Sequence, residues 1–466
     1  MFTIDLSALA DVNNPFQATL FLIQHGGWIL LVFTVLYGAW IGWLEYIRNV
    51  YDSKIQFTLL AIDVPKNNEQ TPKAVEHIFA HLSAIQKHGT LYERYFEGFS
   101  QPAFSLEIVS IEGYIQFLIR TPVKFRDLVE AAIYAQYPDA EITEVEDYID
   151  SVPKPLDYPK NTEYNMWGTE FKLTNKQLYP IKTYPSFEHP LTQTFLDPMA
   201  SLLEIFSRFG PGEQLWLQIV TTPSDNHWRE AGIALIRKLV GKKTESHGAD
   251  WLYFPREIFR GLSESFTAGI IPTTSEGEAH KKNDNDPPSL MLHLSPDERS
   301  TVEAVGMKIS KMGFLSKIRM IYTARKEVYN RGKGVDAVIG AIKQFNTLDL
   351  NGFTLNKKTR TKVHYINVKR RLLWRKRRIL WGYRYRSLKR GRSKFILNTE
   401  ELATLFHFPV LTVKAPMVQK ADTKKAEPPS RLPTETLFPA VSHAARVERE
   451  EAAAKKGEAP TNLPIA

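Results

Sequence analysis

The sequence predicts an α+β protein in which one N-terminal transmembrane helix is followed by two ferredoxin-like (βαββαβ-type) units, a basic segment and a disordered C-terminal tail. Three observations support this class: an apolar run near the N-terminus, two successive alternations of strand-like and helix-like patterns, and one block of positive charge. With 466 residues, the chain exceeds the size at which a single core usually stops growing. The absence of cysteine excludes disulfides and thiolate chemistry.

The N-terminal apolar run, residues 26–47, contains a single charged residue, Glu45. A helix of this length can cross a hydrocarbon layer of about 30 Å, and its Trp and Tyr residues cluster towards the ends, where aromatic rings favour the interface. Arg48 and Lys54 follow the run and nothing basic precedes it. The positive-inside rule therefore places the N-terminal segment 1–25 outside the cell and the bulk of the chain in the cytoplasm.

The first predicted unit, residues 55–150, has the order β-α-β-β-α-β. Its first strand ends at Pro65, and a helix follows with Thr71 as the N-cap and Pro72 at the first helical position. A hairpin signal at Gly113 joins the next two strands, before a second amphipathic helix and a last strand. This is the order of the ferredoxin-like split unit.

The next segment, residues 151–194, is rich in Pro and turn-forming residues and is predicted to be an irregular linker. A second α/β unit is predicted over residues 195–356, opening with a strand that ends at Pro223. The polar stretch 271–289 interrupts this unit and has the composition of a disordered insertion. Because both units begin with a strand ended by proline and continue into a helix, the pattern is consistent with an internal duplication.

The strongest charge feature is the basic aromatic segment, residues 357–394, which holds 17 of the 60 Lys and Arg residues and no acidic residue. Apolar residues from Lys369 to Trp381 recur after seven positions, which predicts a basic amphipathic helix broken at Gly382. Beyond it, Tyr and Arg alternate, a pattern that suits stacking and phosphate contact with nucleic acid. The candidate nucleic-acid or lipid-binding residues are Lys369, Arg370, Arg371, Trp374, Arg375, Lys376, Arg377, Arg378, Trp381, Tyr383, Arg384, Tyr385, Arg386, Lys389, Arg390, Arg392 and Lys394.

Three interpretations of this segment stay open. Contact with nucleic acid would make binding steeply dependent on salt. A basic amphipathic helix can instead lie on anionic lipid or bind an acidic protein. Finally, the Leu and Trp stripe can pack on the body of the protein or on another copy.

The sequence contains no motif for enzymatic chemistry. A phosphate-binding loop of the form G-x-x-x-x-G-K-[ST] is absent, and the glycines of residues 331–336 have the wrong spacing. His77 and His81 share a helix face, but a H-E-x-x-H metal site needs Glu where Ile78 stands. We therefore expect a protein that is not an enzyme and has no metal or cofactor.

The C-terminal part is predicted as a short helix and connection over residues 395–413, and a disordered tail over 414–466. The runs "SKFILNTEELATLFHFP", "VKAPMVQKADTKKAEPPSRLP" and "FLDPMASLLEIFSRFGPGEQLWLQIVTTP" carry a family resemblance. Over most of residues 20–435, the chain resembles the membrane-proximal N-terminal region of bacterial type IV secretion or conjugative DNA-transfer ATPases of the candidate-phylum type. In that family the region leads into a RecA-like motor, whose phosphate-binding loop has no counterpart here.

The resemblance implies a non-enzymatic, membrane-anchored subunit of a DNA-transfer or secretion system that docks a separately encoded motor ATPase. The basic segment would contact nucleic acid or anionic lipid. The expected partners are the membrane, the motor ATPase, DNA and further copies of the chain, at the bacterial inner membrane with the N-terminus outside. The alternative is a membrane-tethered scaffold whose basic helix binds anionic lipid and which has no role with nucleic acid.

Overall fold

The computed structural model describes residues 28–65, 68–151, 163–188, 195–241, 294–392 and 394–410. Its helices are α1 (Trp28–Lys54), α2 (Pro72–Ser83), α3 (Arg126–Tyr134), α4 (Tyr148–Ser151), α5 (Met199–Ser207), α6 (His227–Leu239), α7 (Pro296–Ser310), α8 (Ala337–Ile342), α9 (Val368–Arg384) and α10 (Thr399–Leu405). Its strands are β1 (Phe57–Asp63), β2 (Phe104–Ile111), β3 (Tyr114–Pro122), β4 (Glu141–Glu144), β5 (Tyr164–Leu173), β6 (Glu213–Pro223), β7 (Gly313–Arg325), β8 (Phe353–Leu355) and β9 (Phe395–Asn398).

The nine strands form one antiparallel sheet in the order β4-β1-β3-β2-β6-β7-β5-β8, and β9 pairs with β7. The order contains two runs of four strands with the same relative arrangement, β4-β1-β3-β2 and β8-β5-β7-β6. In both runs a helix follows the first and the third strand along the chain, α2 and α3 in one and α5 and α8 in the other. The runs meet edge to edge through β2 and β6, which pair over their whole facing length.

This architecture corrects the predicted organisation of two units separated by a linker over residues 151–194. The two runs share one sheet, and β5 lies inside the predicted linker, where Trp167 and Phe171 are buried. The second run therefore begins well before residue 195. Sequence periodicity predicts that a segment is extended, but it does not predict which strand will pair with it. The edge strands β2 and β6 pair with each other, and this pairing satisfies the hydrogen bonds of their backbone N–H and C=O groups.

The predicted transmembrane helix over residues 26–47 is also corrected. Across the described ranges, no helix combines the length and the apolar character that crossing a membrane requires. Helix α1 continues past the predicted end to Lys54 and carries Arg48 and Asp52. Its second half packs on the protein body, since Ile47 is buried and Trp40 stacks on Tyr95 with the ring centroids 5.9 Å apart.

The core lies on both faces of the sheet, because successive residues of a strand point to opposite sides. On one face, Leu60 and Ile62 of β1 join the larger cluster, against which α2, α3, α5, α8 and α10 pack. On the other face, Leu59 and Ala61 join a smaller cluster. Helix α9 covers this second face by burying Ile379, Leu380 and Tyr383. The basic helix is thus a structural layer of the fold as well as a charged surface.

Several predictions fall on residues that lie outside the described ranges. They are the N-terminal segment 1–25, the insertion 271–289 and the tail 414–466. Within the described part, the predicted break at Gly382 is wrong, since α9 runs through this residue to Arg384. Gly382 is buried and faces the guanidinium of Arg319.

Candidate nucleic-acid interface

A row of polar side chains crosses the centre of the sheet beneath α9. Glu107 of β2 is paired in register with Gln218 of β6, Gln218 with Arg319 of β7, and Arg319 with Glu170 of β5. All four residues are at most 1% exposed. Because unpaired polar groups are costly in such a site, the side chains bond along the row. We call these four residues the polar row.

The bonds within the polar row are direct. Gln218 Nε2 donates to Glu107 Oε1 at 3.0 Å, and its Oε1 accepts from Arg319 Nη1 at 3.2 Å. Arg319 Nε donates to Glu170 Oε1 at 3.3 Å. The amide of Gln218 therefore links Glu107 to Arg319, with its carbonyl towards the cation and its NH₂ towards the carboxylate.

Arg386, just beyond the end of α9, closes one end of the polar row. Its Nε donates to Glu107 Oε1 at 2.9 Å, and its Nη2 donates to Asp147 Oδ1 at 3.0 Å. Arg386 is 5% exposed and holds a backbone φ of +45°, an uncommon conformation for a residue with a side chain. The tertiary ion pairs hold the backbone in this conformation.

These contacts shift the pKa values of both partners. Burial alone would raise the pKa of Glu107, but the charge and hydrogen bonds of Arg386 hold it below its ordinary value. Burial alone would lower the pKa of Arg386, but Glu107 and Asp147 hold it above its ordinary value. Both groups are therefore charged across the physiological pH range, as a buried and mutually satisfied pair requires.

Two tyrosines extend this network between α9 and the sheet. The hydroxyl groups of Tyr148 and Tyr383 lie 2.6 Å apart, and the Tyr148 hydroxyl donates to Glu107 Oε2 at 2.9 Å. The Tyr383 ring also packs against Trp216 with centroids 5.5 Å apart. Burial raises the pKa of both tyrosines well above the ordinary value, so both hydroxyl groups stay protonated and available as donors.

The loop after α9 is held to β7 through its backbone carbonyls. Lys317 Nζ donates to Leu388 O at 2.7 Å and to Arg390 O at 2.6 Å, and Arg319 Nη2 donates to Arg390 O at 2.9 Å. Burial lowers the pKa of Lys317 to about 8, and the nearby charge of Arg319 adds to the shift. Gly391 follows with φ +101°, a left-handed conformation that glycine adopts without a steric penalty.

The opposite side of α9 faces solvent. Trp374 is 56% exposed, and the Arg378 guanidinium lies over its ring, 5.0 Å from the centroid. Arg370, Arg371 and Arg377 are also exposed. In the part of the chain that the structure describes, no carboxylate lies within 4.0 Å of the guanidinium groups of these four arginines. We call this surface, formed by Arg370, Arg371, Trp374, Arg377 and Arg378, the outer face.

Beside the outer face, Trp374 and Arg378 line a narrow groove with Arg375 and the start of the following loop. Its other lining residues are Glu170, Lys358, Thr359, Ile379, Gly382, Arg390 and Gly391. Burial lowers the pKa of Arg375, and the charges of Arg371 and Arg360 lower it further. Mutual repulsion among these arginines is thus not fully compensated within the described chain.

The structure divides the candidate residues of the basic segment into two sets. Lys376, Tyr383 and Arg386 are buried, and Arg375 and Trp381 are half-buried; the other twelve are exposed, namely Lys369, Arg370, Arg371, Trp374, Arg377, Arg378, Arg384, Tyr385, Lys389, Arg390, Arg392 and Lys394. The buried three cannot contact an external ligand as predicted. Lys376 instead donates to Asn165 Oδ1 at 2.7 Å, and the other two join the buried network described above.

Sequence reasoning missed the polar row and its neighbour Lys317. A signal was present, because each residue interrupts an otherwise apolar strand, as Glu107 does in "FSLEIVSI" and Arg319 in "SKIRMIYTAR". Charged residues in the middle of central strands are rarely buried unless they are paired. The opposite charges on β2, β5 and β7 could therefore have been read as mutual partners.

The described residues contain no cluster of three or more His, Asp or Glu side chains that could hold a metal ion. The fold and site define an α+β protein with a single antiparallel sheet, one face of which is closed by a cationic helix. The family model "Domain of unknown function (DUF8128)" matches residues 54–421, and the chain belongs to this family. No curated protein matches the chain.

The expectation of a secretion or conjugation system gains no support from these comparisons, because the matching family carries no assigned function. Two of the runs that suggested it serve packing, and the third, residues 413–433, lies outside the described ranges. "FLDPMASLLEIFSRFGPGEQLWLQIVTTP" contains α5 and β6, and "SKFILNTEELATLFHFP" contains β9 and α10. The buried residues of these elements, such as Leu203, Leu215 and Leu402, serve the core and do not by themselves indicate a machine.

Proposed function

We propose that this protein is a non-enzymatic docking subunit that binds the phosphate backbone of nucleic acid through the outer face of α9. The observation that carries the proposal is the division of one basic helix into two sides. The inner side of the helix is buried, and Arg386 just beyond its end is neutralised by Glu107 and Asp147, whereas the four arginines of the outer face have no carboxylate partner in the described chain. A polyanion supplies the missing countercharge.

The side-chain chemistry favours nucleic acid over a simple anion. Guanidinium groups match phosphate geometry with paired N–H donors, and α9 spreads them along a helix of 17 residues, or about 25 Å. Trp374 adds an exposed ring on which a base can stack. These side chains contact the phosphate backbone and can stack on the face of any base, so we expect nucleic-acid binding with little sequence preference.

The test is the affinity of the full chain for a single-stranded oligonucleotide at several salt concentrations. Replacing Arg370, Arg371, Arg377 and Arg378 together by Gln should abolish measurable binding at physiological salt. At low salt, the slope of log affinity against log salt should fall by about 3, since each phosphate contact contributes about 0.7 with single strands. Binding that is unchanged in this variant contradicts the proposal.

A matched control removes four positive charges elsewhere. Lys124, Arg208, Arg299 and Arg331 are exposed and lie far from α9 in the sequence, and their replacement by Gln should leave most of the affinity. Vesicles of phosphatidylcholine mixed with phosphatidylglycerol form the second arm. Arginine-dependent binding to these vesicles without binding to nucleic acid would replace this proposal with the lipid-binding scaffold.

The wider assembly stays a prediction. Partnership with a separate motor ATPase, self-association and a location at the bacterial inner membrane are proposals that accompany the docking role. The first half of α1 presents exposed apolar side chains such as Phe33, Val35 and Leu36. This surface is available to a partner, but its occupant is a separate question from the anion contact at α9.

A further inference from the structure

A second cationic feature lies beyond the outer face, where the chain leaves the loop after α9. It is a cleft of about 550 Å³, within the size range of ligand sites. Four of its lining residues are basic, Lys172, Lys176, Arg392 and Lys394, and none is acidic. We call it the cationic cleft. All four cations are exposed, and no ion pair involving them occurs within the described ranges.

The floor of the cationic cleft is apolar and fixed. Trp228 and Phe395 line it and are 7% and 4% exposed. Gln177, at its side, accepts a hydrogen bond from the Ile396 backbone N–H at 3.2 Å, which ties the loop after β5 to β9. The cleft is therefore bounded by β5, β9 and α6 together with the loop after β5.

The groove beside Trp374 and the cationic cleft are connected through consecutive residues. Arg390 and Gly391 line the groove, and Arg392 lines the cleft. The same loop is anchored from below, because the Arg392 backbone N–H donates to Glu170 Oε2 at 2.9 Å. The side chains of Arg390 and Arg392 are both exposed, so they form a cationic path from α9 to the cleft. The one carboxylate that lines the groove or the cleft, Glu170, is buried.

We propose that the cationic cleft is a second phosphate-binding subsite of the same polyanion site, occupied by the continuation of a single strand that starts on the outer face. This inference rests on the proposed function. A flexible single strand can bend from the helix over the loop into a cleft, whereas a stiff duplex resists such a bend. The cleft thus makes the site selective for single-stranded nucleic acid of sufficient length.

The experiment compares two oligothymidylates, about 4 and about 16 nucleotides long, the range of site sizes known for single-strand-binding modules. Lys172, Lys176 and Lys394 are replaced together by Gln in the full chain. We expect the affinity for the longer strand to fall at least about tenfold and its salt slope to fall by about 2. The affinity for the shorter strand, which the outer face accommodates, should be unchanged.

The control variant replaces Lys73, Lys124 and Lys343 by Gln. These residues are exposed, and they accompany α2, α3 and α8, which pack on the opposite face of the sheet. This variant should bind both strands like the wild type. A cleft variant that binds the longer strand with wild-type affinity overturns the inference, while the docking role of α9 stands.

Other outcomes separate the two proposals. If the cleft variant loses both strands equally, the cleft is not a length-dependent subsite and the inference fails. If the wild-type chain binds neither strand, both the proposed function and this inference are contradicted. Equal affinity of the wild type for a long single strand and a duplex of the same length would also contradict the single-strand selectivity.

Discussion

Arg386 and Glu107 are 279 positions apart in the chain, yet the Arg386 Nε donates to Glu107 Oε1 at 2.9 Å in the interior of the protein. Asp147 supplies the second carboxylate for the same guanidinium. The pair joins the basic segment to the first run of strands. It also removes one cation from the surface that the composition of the segment suggested.

Replacing Arg386 by Met should lower the free energy of unfolding by about 3–5 kcal/mol, because the Glu107 charge would stay buried without its partner. Chemical denaturation measures this change. The control is Arg377→Gln on the outer face, which should change stability by less than about 0.5 kcal/mol. The double variant Arg386→Met, Glu107→Leu should recover part of the loss. An Arg386 variant as stable as the control would show that the buried pair contributes little.

Replacing Trp374 by Ala should weaken binding of single-stranded nucleic acid by about 1–3 kcal/mol, the range for loss of one base–aromatic stack. The fold should persist, since the Trp374 ring is 56% exposed. Fluorescence anisotropy titration with an oligonucleotide measures the affinity. The comparison variant is Trp43→Ala, at an exposed tryptophan of α1. Equal effects of the two substitutions would contradict a specific role for Trp374.

Lys376 should make stability depend on pH in the alkaline range. Burial lowers its pKa from 10.5 to about 8, and the charge of Lys326 adds to the shift. Between these two values the unfolded chain binds more protons than the folded one, so stability rises as the pH increases through this window. Below about pH 8, Lys376 is charged in the folded protein, and the cost of burying this charge lowers the stability in full.

The variant Lys376→Met should reduce this rise by about 1–3 kcal/mol, because each unit of pKa shift corresponds to about 1.4 kcal/mol and Met has no charge to bury. Lys317, whose pKa is also lowered to about 8, should retain its share of the rise. Unfolding at several pH values across the window provides the measurement. Lys369→Met, at an exposed position of the same helix, is the control. A rise as large in Lys376→Met as in the wild type would contradict the assignment.

Replacing Gly391 by Ala should destabilise the protein by about 1–3 kcal/mol. The residue has φ +101° and an added Cβ would overlap the Glu170 carboxylate, so the substitution strains the backbone and displaces one end of the polar row. Thermal and chemical unfolding measure the loss. In Gly340→Ala the new methyl group meets no atom within 4 Å in α8, and the change should be neutral or slightly stabilising. Similar results for the two variants would show that the loop can relax.

The basic segment shows how far sequence reasoning reached. The heptad-like recurrence from Lys369 to Trp381 predicted a helix, and α9 spans Val368–Arg384. The same recurrence could not show which side would be buried, since Lys376 and Arg386 are chemically like their exposed neighbours. Their burial depends on Asn165, Glu107 and Asp147, which are more than 200 positions away in the chain.

The strand pattern had a similar limit. Alternating apolar residues predicted β2 and β6 as strands, but the pairing of these two edges into one sheet lies beyond any local signal. The strand β5 was missed because the Pro-rich residues before it favoured an irregular linker. Its Glu170 is buried where Arg319 faces it in register and donates to it.

By itself, the sequence determined the α+β class and the position of the basic aromatic segment, because these follow from composition and local periodicity. Only the tertiary structure decided which cations are neutralised inside the protein and which face solvent. Ionic partners and strand edges are chosen by contacts across long sequence separations. Burial then fixes the choice, since a charge without its partner is costly in the core.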